Sequence, residues 1–325
     1  MIFCVMSRMD LLSQLQFSVS ITGPICLMLV LGIVFKRIGL INDNFIEVAS
    51  KLVFQVTLPT MLFLSIVVSE HDISAASHFI LYGVLSSVAF FVFTSVCVKA
   101  LFPTSPDQGV IIQGGFRANT GIIGIAYVAN AYGEQGIALG AIFVAATTLV
   151  YNVLAVICLT PKHQESGVKV GKMMAATLTK NPLIISILLG IAFYVLSIPV
   201  PTIAIDAGNY LAKMTLPLAL LCIGGSLNLS SLKKEQAPSW TASGFKLVAA
   251  PVLITGCAYW LGFEGMELGI IFFMNAAPVA SASYIMARAM NGNAVLAANI
   301  IALTTTISTV TCTLGLLLLS VFSLI

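Results

Sequence analysis

The chain has 325 residues, of which 59% are hydrophobic and only 8% charged, with a net charge of +3. Soluble domains carry about 25% charged residues, so a soluble fold of this size is excluded and the main solvent must be lipid. The seven cysteines are scattered through apolar runs without a C-x-x-C or a Cys/His cluster, which reads as small buried hydrophobes rather than disulfides or a metal site.

Ten apolar spans follow one another along the chain, at roughly 15–35, 47–69, 77–101, 108–133, 136–160, 181–200, 206–229, 240–262, 266–290 and 293–323. Each can cross a hydrocarbon core of about 30 Å, which takes about 20 helical residues. Residues 1–14 read as an optional leader outside the spans, with Met6 or Met9 as alternative starts. The first span is not read as a signal peptide, because Lys36-Arg37 stands where a small-residue cleavage site belongs.

Placement of Lys and Arg orients the spans. With the N-terminus outside, the inner segments hold Lys36, Arg37, Lys51, Lys99, Lys162, Lys169, Lys172, Lys180, Lys233, Lys234 and Arg288, and the outer ones hold only Arg8. That is a strong positive-inside bias and predicts both termini outside. Lys213 and Lys246 lie within spans and are read as snorkelling. The segment 161–180, "PKHQESGVKVGKMMAATLTK", reads as a basic cytoplasmic linker.

A shift of 158 positions lays the chain on itself. Pro24 falls on Pro182, Gly32 on Gly190, Phe35 on Phe193, Thr57–Pro59 on Thr215–Pro217, and Thr147-Thr148 on Thr305-Thr306. Each copy holds five spans, and an odd number inverts the second copy. The prediction is an all-α polytopic membrane protein of ten transmembrane helices, built as two inverted repeats over 15–160 and 181–325.

Binding sites in such architectures lie near the midplane, where helices break. The fourth span holds "GGFRANTGIIG", with Arg117, Asn119, Thr120 and Gly121 at mid-membrane depth. The shift brings "MNAAPVASAS" to the same place, with Asn275 opposite Arg117 and Pro278 opposite Thr120. A broken helix frees backbone N–H groups that suit an anion, and Arg117 adds a full charge. The expected solute is a small polar or anionic molecule. The alternatives are that Arg117 snorkels or pairs with Asp107, that the asparagines only cap broken ends, and that Gly121 and Gly124 serve close packing. Pro59 and Pro217 are read as helix kinks. Asn152 and Asn299 are further polar candidates within spans.

The stretches "GPICLMLVLGIVFKRIGLINDNFIEVASKLVFQVTLPTMLFLSI", "NPLIISILLGIAFYVLSIPVP", "KMTLPLALLCIGGSL" and "NAAPVASASYIMA" resemble the auxin efflux carrier family, over about residues 17–320. That family includes bacterial permeases for malonate and malate. The resemblance implies crossing helices 4 and 9, both broken, and an elevator-like carrier for a small organic anion, acting in efflux across the plasma membrane (the inner membrane in bacteria). It implies a homodimer through helices 1, 2, 6 and 7. It also carries site roles onto Asn119, Thr120, Gly121, Asn275, Ala277 and Pro278. One departure is that the first break has Asn-Thr-Gly where plant exporters have proline.

Every acid lies near a span end, so the driving force is read as the membrane potential, or as a cation held around Thr147, Thr148, Thr305 and Thr306. A rival reading is a different carrier of similar design, a sodium-coupled organic-anion symporter of the bile-acid-transporter type, which strict sodium dependence would favour. No cofactor, metal, nucleic-acid partner or catalytic residue is expected: H-E-x-x-H, G-x-S-x-G and a pair of membrane aspartates are missing, and Gly224–Ser226 lacks a basic partner. An enzyme or receptor is the distant alternative.

Overall fold

A computed structural model describes residues 2–68, 77–160, 182–227, 236–322 and 324–325, with side chains described from Ser13 onward except Gln236 and Ala289. The linker 161–180 lies outside the described residues. All regular structure among the described residues is helical. In chain order the helices are α1 (Ile2–Arg37), α2 (Asp43–Val67), α3 (Ser77–Leu101), α4 (Gln108–Phe116), α5 (Thr120–Leu159), α6 (Pro182–Val195), α7 (Thr202–Ser226), α8 (Ala237–Trp260), α9 (Gly265–Ala276), α10 (Ala282–Ala289) and α11 (Ala294–Val321). The backbone of α1 is helical from Ile2, so much of the segment read as a leader continues into the first span.

Among the described residues, six helices are long and apolar enough to cross a membrane: α1 from Ser13, α2, α3, α5, α8 and α11. α6 and α9 are apolar but shorter. Outward faces carry large apolar side chains such as Leu27, Leu85, Val96, Leu188, Val252 and Leu314, as a lipid-facing surface requires. Asn42 caps α2 by accepting the Phe45 N–H at 2.8 Å, and Asn293 caps α11 by accepting that of Leu296 at 3.0 Å.

The 40 residues of α5 are not one rod. Gly133 has φ 61° and ψ −147°, outside the helical region. A Cβ on Gly140 would lie 3.1 Å from Ile125 Cδ1 and 3.5 Å from Val128 Cγ1. A straight helix would hold residues 125 and 140 about 22 Å apart. The two arms therefore fold back on each other at Gly133, at the boundary the sequence places between its fourth and fifth spans.

Helix contacts repeat across the two halves. A Cβ on Gly32 of α1 would collide with the Leu221 carbonyl of α7, and one on Gly224 with the Leu29 carbonyl. α6 meets α2 in the same way: a Cβ on Gly190 would lie 3.3 Å from the Phe63 carbonyl oxygen and 3.2 Å from Ile66 Cβ. The shift of 158 carries Gly32 to Gly190, Phe63 to Leu221 and Ile66 to Gly224.

Among the described residues, three turns widen from α to π geometry, at Val53–Thr57 in α2, Thr120–Gly124 at the start of α5, and Phe245–Ala249 in α8. Two have a common cause. Pro59 and Pro251 each follow such a turn, and their rings would strike the carbonyls of Gln55 and Leu247 in a regular helix. The wider turn moves those carbonyls aside, with Leu58 N–H donating to Val53 O and Ala250 N–H to Phe245 O. Where the sequence reading expects a kink at Pro59, the structure has a π turn just before it. Pro217 lies inside α7, which is assigned as one helix from Thr202 to Ser226.

Candidate functional site

α4 reaches the centre of the bundle and stops. Its last turn is slim by necessity: a Cβ on Gly114 would lie 2.9 Å from Ile300 Cγ2, and one on Gly115 2.7 Å from Thr94 Cγ2. The chain then leaves the helix, extended at Arg117 (φ −81°, ψ 106°) and turned at Asn119 (φ −82°, ψ 64°). Helix resumes at Thr120, where Gly124 N–H donates to Asn119 O at 2.9 Å.

α9 breaks for a different reason. Proline disfavours the helical region for its predecessor, and Ala277 before Pro278 sits at φ −58°, ψ 143°. The second break spans residues 277–281, about two residues later than the shift of 158 places it. Asn275 is consequently still helical, in the last turn of α9.

The two breaks pair with each other. Asn119 N–H donates to Pro278 O at 2.7 Å, Ala280 N–H to Arg117 O at 3.3 Å, and Ala118 and Val279 form an isolated antiparallel bridge. Val279 N–H donates to the Thr304 hydroxyl of α11 at 3.2 Å. The first break therefore needs no proline of its own. Backbone groups it releases find partners in the second, as the interior of a membrane demands.

Two cations sit at this crossing. Arg117 is 6% exposed, and its guanidinium donates to Asn152 Oδ1 at 2.7 Å and to Met286 Sδ. Lys246, on the π turn of α8, is fully buried and donates from Nζ to Asn275 O at 2.8 Å. It thereby caps the carbonyl end of α9, the negative end of that helix. It does not snorkel: its Nζ points inward to the Asn275 carbonyl and the residue is fully buried, whereas Lys213 is exposed.

Neither cation pairs with a carboxylate among the described residues. The ion pairs among the described residues are Lys36–Asp43 and Lys51–Glu47, away from the crossing. Asp107, the partner considered for Arg117, accepts instead from Asn293 Nδ2 at 3.1 Å. A guanidinium offers five N–H donors, and its partners here are one amide oxygen and one thioether.

Asn119, Thr120, Asn275, Ala277 and Pro278 are buried around this point, and Gly121 is half-buried. Asn275 donates from Nδ2 to Ile271 O at 2.8 Å, which fixes its amide within the turn. Asn152 joins the site through Arg117, while Asn299 is buried on α11. Thr147 is buried with its hydroxyl on Phe143 O, and Thr148 is half-buried. Thr305 is buried, but Thr306 is exposed and bonds Ala302 O within its own helix.

Four residues of the crossing escape the sequence reading: Lys246, Gln113, Met286 and Thr304. Lys246 carried a usable signal, since an ionisable group inside a span is a functional candidate by default. Gln113 stands one turn before Arg117 on the same face of α4, and its buried Oε1 has no hydrogen-bond partner. A solute or water donor can satisfy it. Met286 and Thr304 gave no signal that separates them from core residues.

The family model of the membrane transport proteins matches residues 21–316 of the chain. An uncharacterized transporter of Methanothermobacter thermautotrophicus is 22% identical over 266 residues, covering 81% of this chain and 85% of its own length. An uncharacterized transporter of Methanocaldococcus jannaschii is 23% identical over 300 residues, covering 87% of this chain and 93% of its own.

Proposed function

The chain belongs to the membrane transport protein family, the auxin efflux carrier family that its sequence resembles, and on that premise we propose that it carries a small organic anion, a mono- or dicarboxylate, across the plasma membrane in the direction of efflux. The observation that carries this reading is the Arg117 guanidinium, buried at the crossing among neutral partners. An arginine at mid-membrane costs at least about 2.5 kcal/mol on the most lenient scale, and a buried charge without a counter-charge costs several kcal/mol. An anionic solute supplies that counter-charge when it binds, with the paired breaks and Gln113 offering polar groups beside it.

The architecture read for this carrier is ten crossings in two inverted repeats. The reversal at Gly133, the repeated contacts of Gly32 and Gly190, and the meeting of both breaks at one point support it. Transport would be an elevator motion, in which the bundle around the crossing slides against α1, α2, α6 and α7. Those four helices would also form a homodimer interface.

The test is thermal unfolding of the purified protein with a panel of mono- and dicarboxylates, together with counterflow of the stabilising anion in proteoliposomes. A ligand that binds only the folded state raises its stability by about 2.7 kcal/mol at a hundred times its Kd. Arg117→Ala should abolish both the shift and the counterflow. A shift that survives in that variant would remove Arg117 from the site. Counterflow that strictly requires sodium would favour the sodium-coupled alternative.

A further inference from the structure

Lys246 has no part in the reading above, yet it is the most deeply buried charge-bearing group of the chain that the structure describes. It is fully buried, sits on the π turn Phe245–Ala249, and reaches the Asn275 carbonyl at 2.8 Å. The elements packed on that turn are α3, α4, α9 and α11. Their titratable groups are His78, Tyr82, Cys97 and Lys99 on α3, Glu267 on α9 and Cys312 on α11, with Arg117 following α4. His78 and Lys99 are exposed. Glu267 stands eight residues before Asn275, about 12 Å away along the helix. No carboxylate pairs with Lys246 among the described residues.

We propose that Lys246 is the proton-carrying group of the transport cycle and couples each anion to one proton. This rests on the carrier reading above. Two buried cations on the two sides of one crossing, neither paired with an acid among the described residues, would leave an excess of positive charge in the empty site. An ammonium held only by a helix end is stable there when an anion lies beside it, and costly when the site is empty. Lysine, unlike arginine, can lose its proton. The anion arrives, the neutral amine of Lys246 takes up one proton from the same side, and the site crosses loaded. On the far side the anion leaves and the ammonium returns that proton to water. The empty site goes back with a neutral amine and the Arg117 charge unchanged. A monoanion then moves without net charge, so the potential does not act on it, and efflux runs when the outward anion gradient exceeds the inward pH gradient. The sequence reading found no intramembrane acid for this task; a buried amine performs it with the opposite charge.

The experiment uses the full chain in proteoliposomes with a panel of radiolabelled mono- and dicarboxylates. Exchange is measured without a pH gradient, and accumulation with one. In the wild type, one pH unit across the membrane should sustain roughly a tenfold gradient of a monoanion. Lys246→Arg keeps a cation at every pH, so it should exchange anion at a reduced rate and lose pH-driven accumulation. Lys246→Met should also lose it, along with the proton uptake from weakly buffered solution that accompanies anion binding. Exchange in the wild type with accumulation indifferent to the pH gradient would overturn the proton role and leave the carrier. Accumulation that persists in Lys246→Arg would overturn it as well. No exchange of any carboxylate by folded wild type would overturn the carrier reading and this inference together.

Discussion

At the scale of residues, the crossing is organised by which polar group holds which charge. Asn152 orients Arg117 through one bond of 2.7 Å from a charged donor. Such bonds contribute about 1.5–3 kcal/mol, so Asn152→Ala should weaken anion affinity at least about tenfold, read from the concentration dependence of the thermal shift. Asn152→Asp is the sharper test. It keeps the shape and supplies the carboxylate that the site lacks, so Arg117 should pair internally and the anion shift should disappear. A tighter anion in that variant would show that Arg117 does not meet the solute.

Elements place those residues, and turn geometry does much of the placing. Lys246 lies within the π turn that precedes Pro251, and a turn of the same kind precedes Pro59 with no charge in it. Replacing proline restores an N–H and removes the ring clash, so the turn can relax to α geometry. Pro251→Ala should then swing Lys246 away from the Asn275 carbonyl and lower pH-driven accumulation severalfold, whereas Pro59→Ala should leave it in place. Glycines sort by what surrounds them. Gly224→Ala drives a methyl into the Leu29 carbonyl where α1 and α7 touch backbone to backbone, and should destabilise by about 3 kcal/mol or more. Gly256 meets nothing within 4 Å inside α8, so Gly256→Ala should be neutral or stabilise by up to about 1 kcal/mol. Unfolding midpoints in detergent separate the two.

At the scale of the whole molecule, the proposed scaffold meets the proposed bundle through two polar contacts of α1 among the described residues. The Thr22 hydroxyl of α1 meets the Thr313 hydroxyl of α11 at 2.7 Å, and Asn130 Nδ2 donates to Ile21 O at 2.9 Å. An elevator motion must break both. A Thr22→Cys, Thr313→Cys double variant should close a disulfide across that seam. Oxidised, it should bind anion with an unchanged thermal shift but exchange none, and reduction should restore exchange. Exchange by the oxidised form would show that α1 and α11 do not slide past one another.

The sequence by itself determined that this chain belongs in a membrane, and it placed the two polar breaks to within about two residues. Those properties follow from local composition, because about 20 apolar residues suffice to span a bilayer and an arginine amid them is conspicuous. It also marked Arg117, Asn119, Thr120, Asn275 and Pro278 as candidates that the structure gathers at one point. Tertiary structure alone decided what each break bonds to, since Asn119 and Pro278 lie 159 positions apart and their pairing depends on how two helices meet. It decided as well that Arg117 turns to Asn152 and not to Asp107, and that Lys246 is inside and not at the surface. A span pattern gives depth, but not which face of a helix looks inward. For a charged side chain in a membrane, that face separates an anchor from a functional group.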